Sequence, residues 1–242
     1  RSVPTRAADA LYWTNRAAER AEAMARTMRI ISSRLEQDPG LAATRGGAWT
    51  DRMCRMAAAV RRQQLAGGSA NLDSLREELS AVGVSVAAEI GSLLTEATTV
   101  REYLSVTTGR VLAHLAELRS VLQRHLTVVD DLDAVLADFA ALAGLWQEST
   151  VRGPAWQIGD TGRRLERCLG VLDLVEATRP TDGTTDDEVD TAATEVLLAV
   201  NDSLVAYRRR YRSDVEWSAA VELVVRDPSN PRSLAASVER LV

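Results

Sequence analysis

Two short charged patterns carry the residue types that could do chemistry. Arg16-Ala17-Ala18-Glu19-Arg20 recurs as Arg163-Arg164-Leu165-Glu166-Arg167. Each copy places Arg, Glu and Arg at i, i+3 and i+4, on one face of a helix. Glutamates among guanidinium forks could serve an enzyme. Glu19 and Glu166 would then act as acid and base, with Arg16, Arg163 and Arg232 gripping an anionic substrate. The alternative is structural. Arg20 is followed at helical spacing by Met24, Met28, Ile31 and Leu35, and Arg167 by Val171 and Leu174. A guanidinium aligned with such a stripe is costly unless paired. Two helices packed together would pair Glu19 with Arg167 and Glu166 with Arg20. Arg16 and Arg163 would then face outward. The structural reading is the stronger, so no catalytic residue is assigned. If there is one, it is Glu19 or Glu166. Arg16, Arg20, Arg163, Arg167, Arg208 and Arg232 are the candidate binding residues.

Other constellations are weaker. There is no lysine, which removes P-loop, Schiff-base and lysine-base chemistry. His114 and His125 would lie about 16 Å apart along a helix, too far for one metal ion. The run Asp186-Asp187-Glu188 is read as a helix N-terminus rather than a metal site. No metal and no cofactor is expected. Cys54 and Cys168 each fall in an amphipathic run and are read as buried, reduced packing residues. Tyr207 to Arg212 is the strongest basic stretch and reads first as a cluster of cations at a helix C-terminus. Asn230 and Pro231 read as N-cap and first residue of a last helix, with Arg232 in its first turn as an anion fork.

The formal net charge of −5 argues against a nucleic-acid binder. No run of 18 apolar residues occurs, so no membrane span is expected. The N-terminus lacks the apolar core of a signal peptide. These features point to a cytoplasmic protein. The chain begins at Arg1, without Met, and is read as an excised or tag-trimmed part of something longer.

These residues must be positioned by helices. Ala and Leu dominate, Phe occurs once, and no segment sustains a period of two. The pattern predicts an all-α protein, a bundle of about eight to ten mostly antiparallel helices forming a single domain over 1–242. Two long, pseudo-equivalent helices would bear the motifs. The first is expected to run from near Thr5 to Gln37. A second runs from Asp51 to Leu65 behind a Thr50 cap, closed by Gly67-Gly68-Ser69. A short helix capped by Asn71 or Asp73 would stop near Gly83, and a new one begin at Val84. A break is expected at Ser105 to Gly109. Further helices span Asp130 to Leu145, Pro154 to about Glu176, one from the acidic cluster through Val200, Leu204 and Tyr207, and a last pair on either side of Asp227 to Pro231.

The residues also resemble a known family. Ala8-Asp9-Ala10-Leu11-Tyr12-Trp13 ahead of the first motif is similar to the opening of the bacterial alpha-E domains. Val100 to Ser105, Trp156 with Gly162 to Arg167, Tyr207 to Tyr211, and Asn230 to Leu234 follow in the same order. The resemblance covers nearly the whole chain and implies an all-helical domain with a Glu-Arg motif. Such domains occur beside, or fused behind, circularly permuted ATP-grasp ligases, with transglutaminase-like and amidohydrolase-like neighbours. It implies a non-catalytic accessory or interaction domain of an amide or peptide ligase system, and a chain that is the C-terminal part of a longer or fused protein. The expected partner is the ATP-grasp ligase, together with a peptide or amino-acid substrate. An enzyme or binding domain for an anionic peptide or nucleotide-linked substrate is the alternative.

Overall fold

The computed structural model describes residues 3–38, 40, 47–64, 70–124, 129–180, 187–212 and 214–241. The expected Gly67-Gly68-Ser69 turn, His125 and Asp186 lie outside them. The described residues form ten α-helices and no strand, an all-α multi-helix bundle. In order these are α1 (Thr5–Gln37), α2 (Ala48–Val60), α3 (Leu72–Thr99), α4 (Val106–Arg124), α5 (Val129–Ser149) and α6 (Pro154–Thr178). The remainder are α7 (Asp187–Val200), α8 (Leu204–Tyr211), α9 (Trp217–Val221) and α10 (Leu234–Glu239). A 3-10 turn at Arg101–Tyr103 precedes α4, and a π turn, Glu222–Arg226, continues α9.

The chain divides into two compact units. One comprises residues 1–25 and 83–166, the other 26–82 and 167–242. In the first unit α4 packs along α5. Leu11, Val100 and Trp146 form a buried cluster, with Trp156 and Ile158 against it. In the second, α7 packs on α2, α8 and α9. Trp49, Met53, Met56, Val196, Leu197 and Tyr207 are buried there. Arg52 of α2 donates to the Thr178 carbonyl that ends α6 (2.7 Å) and to Asp190 in the first turn of α7 (2.8 Å). A cation thus meets the negative end of one helix and an acidic side chain at the positive end of the next. Burial, followed by the charge of Arg55, lowers the pKa of Arg52, with Asp190 opposing them.

Several boundaries differ from the sequence reading. The second helix starts at Ala48 behind Gly47, whose left-handed backbone (φ 88°) is the N-cap, and not behind Thr50, which is buried within the helix. It also ends at Val60, where Arg62 turns left-handed. α3 runs straight through Gly83. A helical glycine costs about 1 kcal/mol relative to alanine, and the buried stripe of Val82, Val86, Ile90 and Leu93 outweighs it. The expected start at Asn71 holds, and the break expected at Ser105 to Gly109 lies just ahead of that patch, at residues 100–105. The side chain of Asn71 accepts from Ser74 N (2.9 Å) at the start of α3. Ser105 accepts from Thr108 N (3.1 Å) at the start of α4. The helix expected through Val200 and Tyr207 is two, α7 and α8. Asp202 is left-handed, Ser203 N reaches back to Leu198 O (2.7 Å), and Asn201 donates to Leu197 O.

α3 is long and apolar enough to cross a membrane by length and composition. Ser80, Ser85, Glu89 and Ser92 interrupt its apolar residues, so it holds no unbroken run of 18. Its buried stripe belongs to the core, and Glu89 is ion-paired.

Candidate functional site

The site is built in the first unit by a close approach of α6 to α1. Gly159 and Gly162 lie one turn apart on α6. A methyl group on Gly162 would sit 2.5 Å from the Tyr12 carbonyl oxygen. One on Gly159 would meet the Trp146 ring at 2.3 Å and the Asn15 amide at 2.6 Å. The absence of side chains there brings Glu166, one turn beyond Gly162, against the charged face of α1.

Glu166 is 2% exposed and accepts from two arginines of α1. Arg20 grips it with both prongs, Nε to Oε1 (2.8 Å) and Nη2 to Oε2 (3.0 Å). Arg16 adds Nε (2.7 Å) and Nη2 (2.6 Å), both to Oε2. Three of these four contacts converge on Oε2 and one on Oε1. Arg20 also donates to Glu89 of α3 (3.0 Å). Its pKa is raised, first by the hydrogen bond to Glu166 and against the cost of burial. Arg16 stacks on the half-exposed Trp13 ring, 5.0 Å from its centre.

The expected pairing of Glu166 with Arg20 is therefore present. The expected outward Arg16 is not, because it is drawn into the same carboxylate. Arg163 is not outward either. It donates to Asp160 of its own helix (2.7 Å), as does Arg164. Burial alone would raise the Asp160 carboxyl, but the hydrogen bonds from Arg163 and Arg164, then their charges, hold it below its ordinary value. Asp160 and Glu89 were not singled out in the sequence. The available signal for Asp160 was its position three and four residues before two arginines.

Arg16 and Arg20 serve Glu166, and Glu19, also buried, lines a cavity on the neighbouring face of α1. Arg163 lines the same cavity. The walls come from α1, α3, α4, α5, α6 and the segment before α4, all within the first unit.

The remaining candidate residues lie in the second unit. Arg167 is half-buried on α6. Arg208 is exposed and shares Glu195 with Arg34 (3.2 and 2.8 Å). Arg210 pairs with Asp227, so two arginines of the basic stretch, Arg208 and Arg210, are ion-paired. Arg232 does not open a helix. Ser233 is the N-cap of α10, accepting from Ala236 N (3.0 Å). Asn230 instead points inward, donating to Ser203 Oγ and the Leu223 carbonyl (both 3.0 Å). Arg232 therefore stands in the turn before α10, beside Arg209 at an open groove.

Fold and site together define an all-helical domain organised on a buried Glu–Arg cross-link between two long helices. The chain belongs to the Alpha-E family, described as a predicted alpha-helical domain with a conserved ER motif, which it matches over residues 3–242. Uncharacterized proteins of Mycobacterium bovis and of two strains of Mycobacterium tuberculosis are each 31% identical to it over 253 aligned positions. The match covers 96% of this chain and 28% of each relative, so the chain spans little more than a quarter of their length. No solved structure matches it significantly.

Proposed function

We propose that this chain is a non-catalytic helical accessory domain that supports an ATP-grasp amide or peptide ligase, acting in the cytoplasm. The single observation behind the non-catalytic part is the state of Glu166. A general base needs a free lone pair within reach of a substrate proton. Glu166 has four guanidinium contacts and almost no access to water. The motif is thus a structural clamp. The ligase association comes from the family resemblance. The greater length of the relatives is compatible with a domain that works beside others.

The test is co-purification of the chain with its encoded or fused ligase, followed by ATP turnover with and without it. Co-elution and a change in turnover are expected. Glu166→Gln should reduce the effect only in proportion to the folded fraction. Absence of co-elution together with unchanged turnover refutes the ligase reading. A fully folded Glu166→Gln protein that abolishes the effect refutes the non-catalytic one.

A further inference from the structure

The cavity of the first unit is lined by side chains with unmet hydrogen bonds. Its volume is about 50 Å3, room for a few water molecules where one needs about 10–15 Å3. Leu112, Phe139 and Leu142 give it apolar surface. Thr14, Trp146 and Arg163 line it as well. Each carries a buried polar atom with no hydrogen-bond partner among the described residues: Thr14 Oγ1, Trp146 Nε1 and Arg163 Nε. Thr14 and Trp146 are more than nine-tenths buried. Such atoms are costly to leave unmet, and native proteins keep few of them. All three are shielded from outside water, so a partner has to enter through the cavity.

The chemistry of these atoms selects the ligand. An indole N–H and a guanidinium N–H only donate, and a threonine hydroxyl can donate after turning about a single bond. They call for an oxygen acceptor, and charge decides which kind. Glu19 and Glu22 also line the cavity, and both have partners of their own. An ammonium group therefore finds no carboxylate in need of it. Arg163 already has the Asp160 carboxylate (2.7 Å), so a carboxylate ligand finds no unmatched cation. Desolvating an ion without a counter-charge is expensive. A neutral oxygen does not face that cost. A carbonyl oxygen has two lone pairs, enough for two of the three donors at once.

We infer that this cavity binds a small neutral aliphatic carbonyl compound. Its oxygen accepts from Thr14 and Trp146, and its alkyl groups lie against Phe139 and Leu142. This is a site separate from the Glu166 clamp, on the adjoining face of α1. It does not depend on the ligase reading, because the chain alone should bind.

The experiment follows the Trp146 indole N–H resonance of the whole chain, assigned with Trp146→Phe. Three ligands of one shape are titrated separately: methyl isopropyl ketone, the alkene in which a methylene replaces its oxygen, and isobutyrate. A saturable shift with the ketone is expected. The alkene should bind at least about tenfold more weakly, for want of two hydrogen bonds. Isobutyrate should be weaker by at least about as much, for want of a counter-charge. Thr14→Val keeps the shape and removes one donor. It should weaken the ketone about fivefold or more and leave the alkene unchanged. If that variant does not fold, the ranking of the three ligands on the wild-type chain still decides. A resonance unmoved by the ketone overturns the inference and leaves water as the partner of these donors. Ketone binding unaltered in a folded Thr14→Val protein overturns it too. So does the alkene binding as well as the ketone, which would make the cavity merely apolar, or isobutyrate binding as well, which would make it an anion site.

Discussion

At the scale of single residues, the two motif copies differ in what precedes them. Three residues before Arg163 stands Asp160, and three before Arg16 stands Trp13. Arg163 is therefore captured within its own helix, whereas Arg16, offered aromatic rings and the Tyr12 hydroxyl but no carboxylate on its own helix, crosses to Glu166. The Asp160 cluster should be visible in acid. Its carboxyl titrates below the ordinary value of about 3.9. A group so depressed contributes stability that is complete above the unfolded value and lost as pH falls through the folded one. Wild-type stability should fall below about pH 4. Asp160→Asn should cost about 3 kcal/mol at pH 7, by removing the charged carboxylate that both Arg163 and Arg164 bond, and should flatten the decline. Urea midpoints between pH 2 and pH 7, on the order of one pH unit apart, would show both effects. Parallel declines in the two proteins would mean that Asp160 is not the group responsible.

At the scale of elements, glycine decides how closely α1 and α6 meet. Alanine in place of a helical glycine normally stabilises by about 0.5–1 kcal/mol. Gly170→Ala, with nothing within 4 Å of the added methyl, should show that gain. Gly162→Ala, on the same helix, should show the opposite sign. Its methyl would meet backbone oxygen at 2.5 Å, which cannot rotate away, and overpacking of this kind costs about 1–3 kcal/mol. Thermal unfolding of the two variants measures the contrast, and a gain in both would show that the contact relaxes freely. Elements were the most legible level of the sequence. The long first helix, the opening of α6 at Pro154 and the cap at Asn71 follow from local chemistry. The division between α7 and α8 was hidden because Val200, Leu204 and Tyr207 keep helical spacing across it. Gly83 misled in the other direction, since a punctuating residue was overridden by the stripe around it. The Glu166–Arg20 pair was legible because charge and apolar stripe share a face. The cavity was not, because its walls come from helices far apart in the chain and depend on side-chain volumes.

At the scale of the whole molecule, neither compact unit is a continuous stretch of chain. α1, α3 and α6 each begin in one unit and end in the other. A helix that frays in one unit leaves the remainder with a new, uncapped end, and helix formation is cooperative over its length. The two units should therefore unfold together. Cys54 reports on the second unit. It is 1% exposed, and burial, aided by Glu78 and Asp51, pushes its thiol up to about 12. At pH 8 only about one molecule in 10,000 would carry the reactive thiolate even if a reagent could reach it. Labelling of Cys54 should thus require unfolding. With Cys168→Ser to leave a single thiol, labelling across a denaturant series should share its midpoint with the loss of helical circular dichroism. Introducing Gly162→Ala, in the first unit, should lower both midpoints equally. If the labelling midpoint of Cys54 stays in place while the dichroism midpoint falls, the units are separate cooperative blocks, and the shared helices do not carry stability from one to the other.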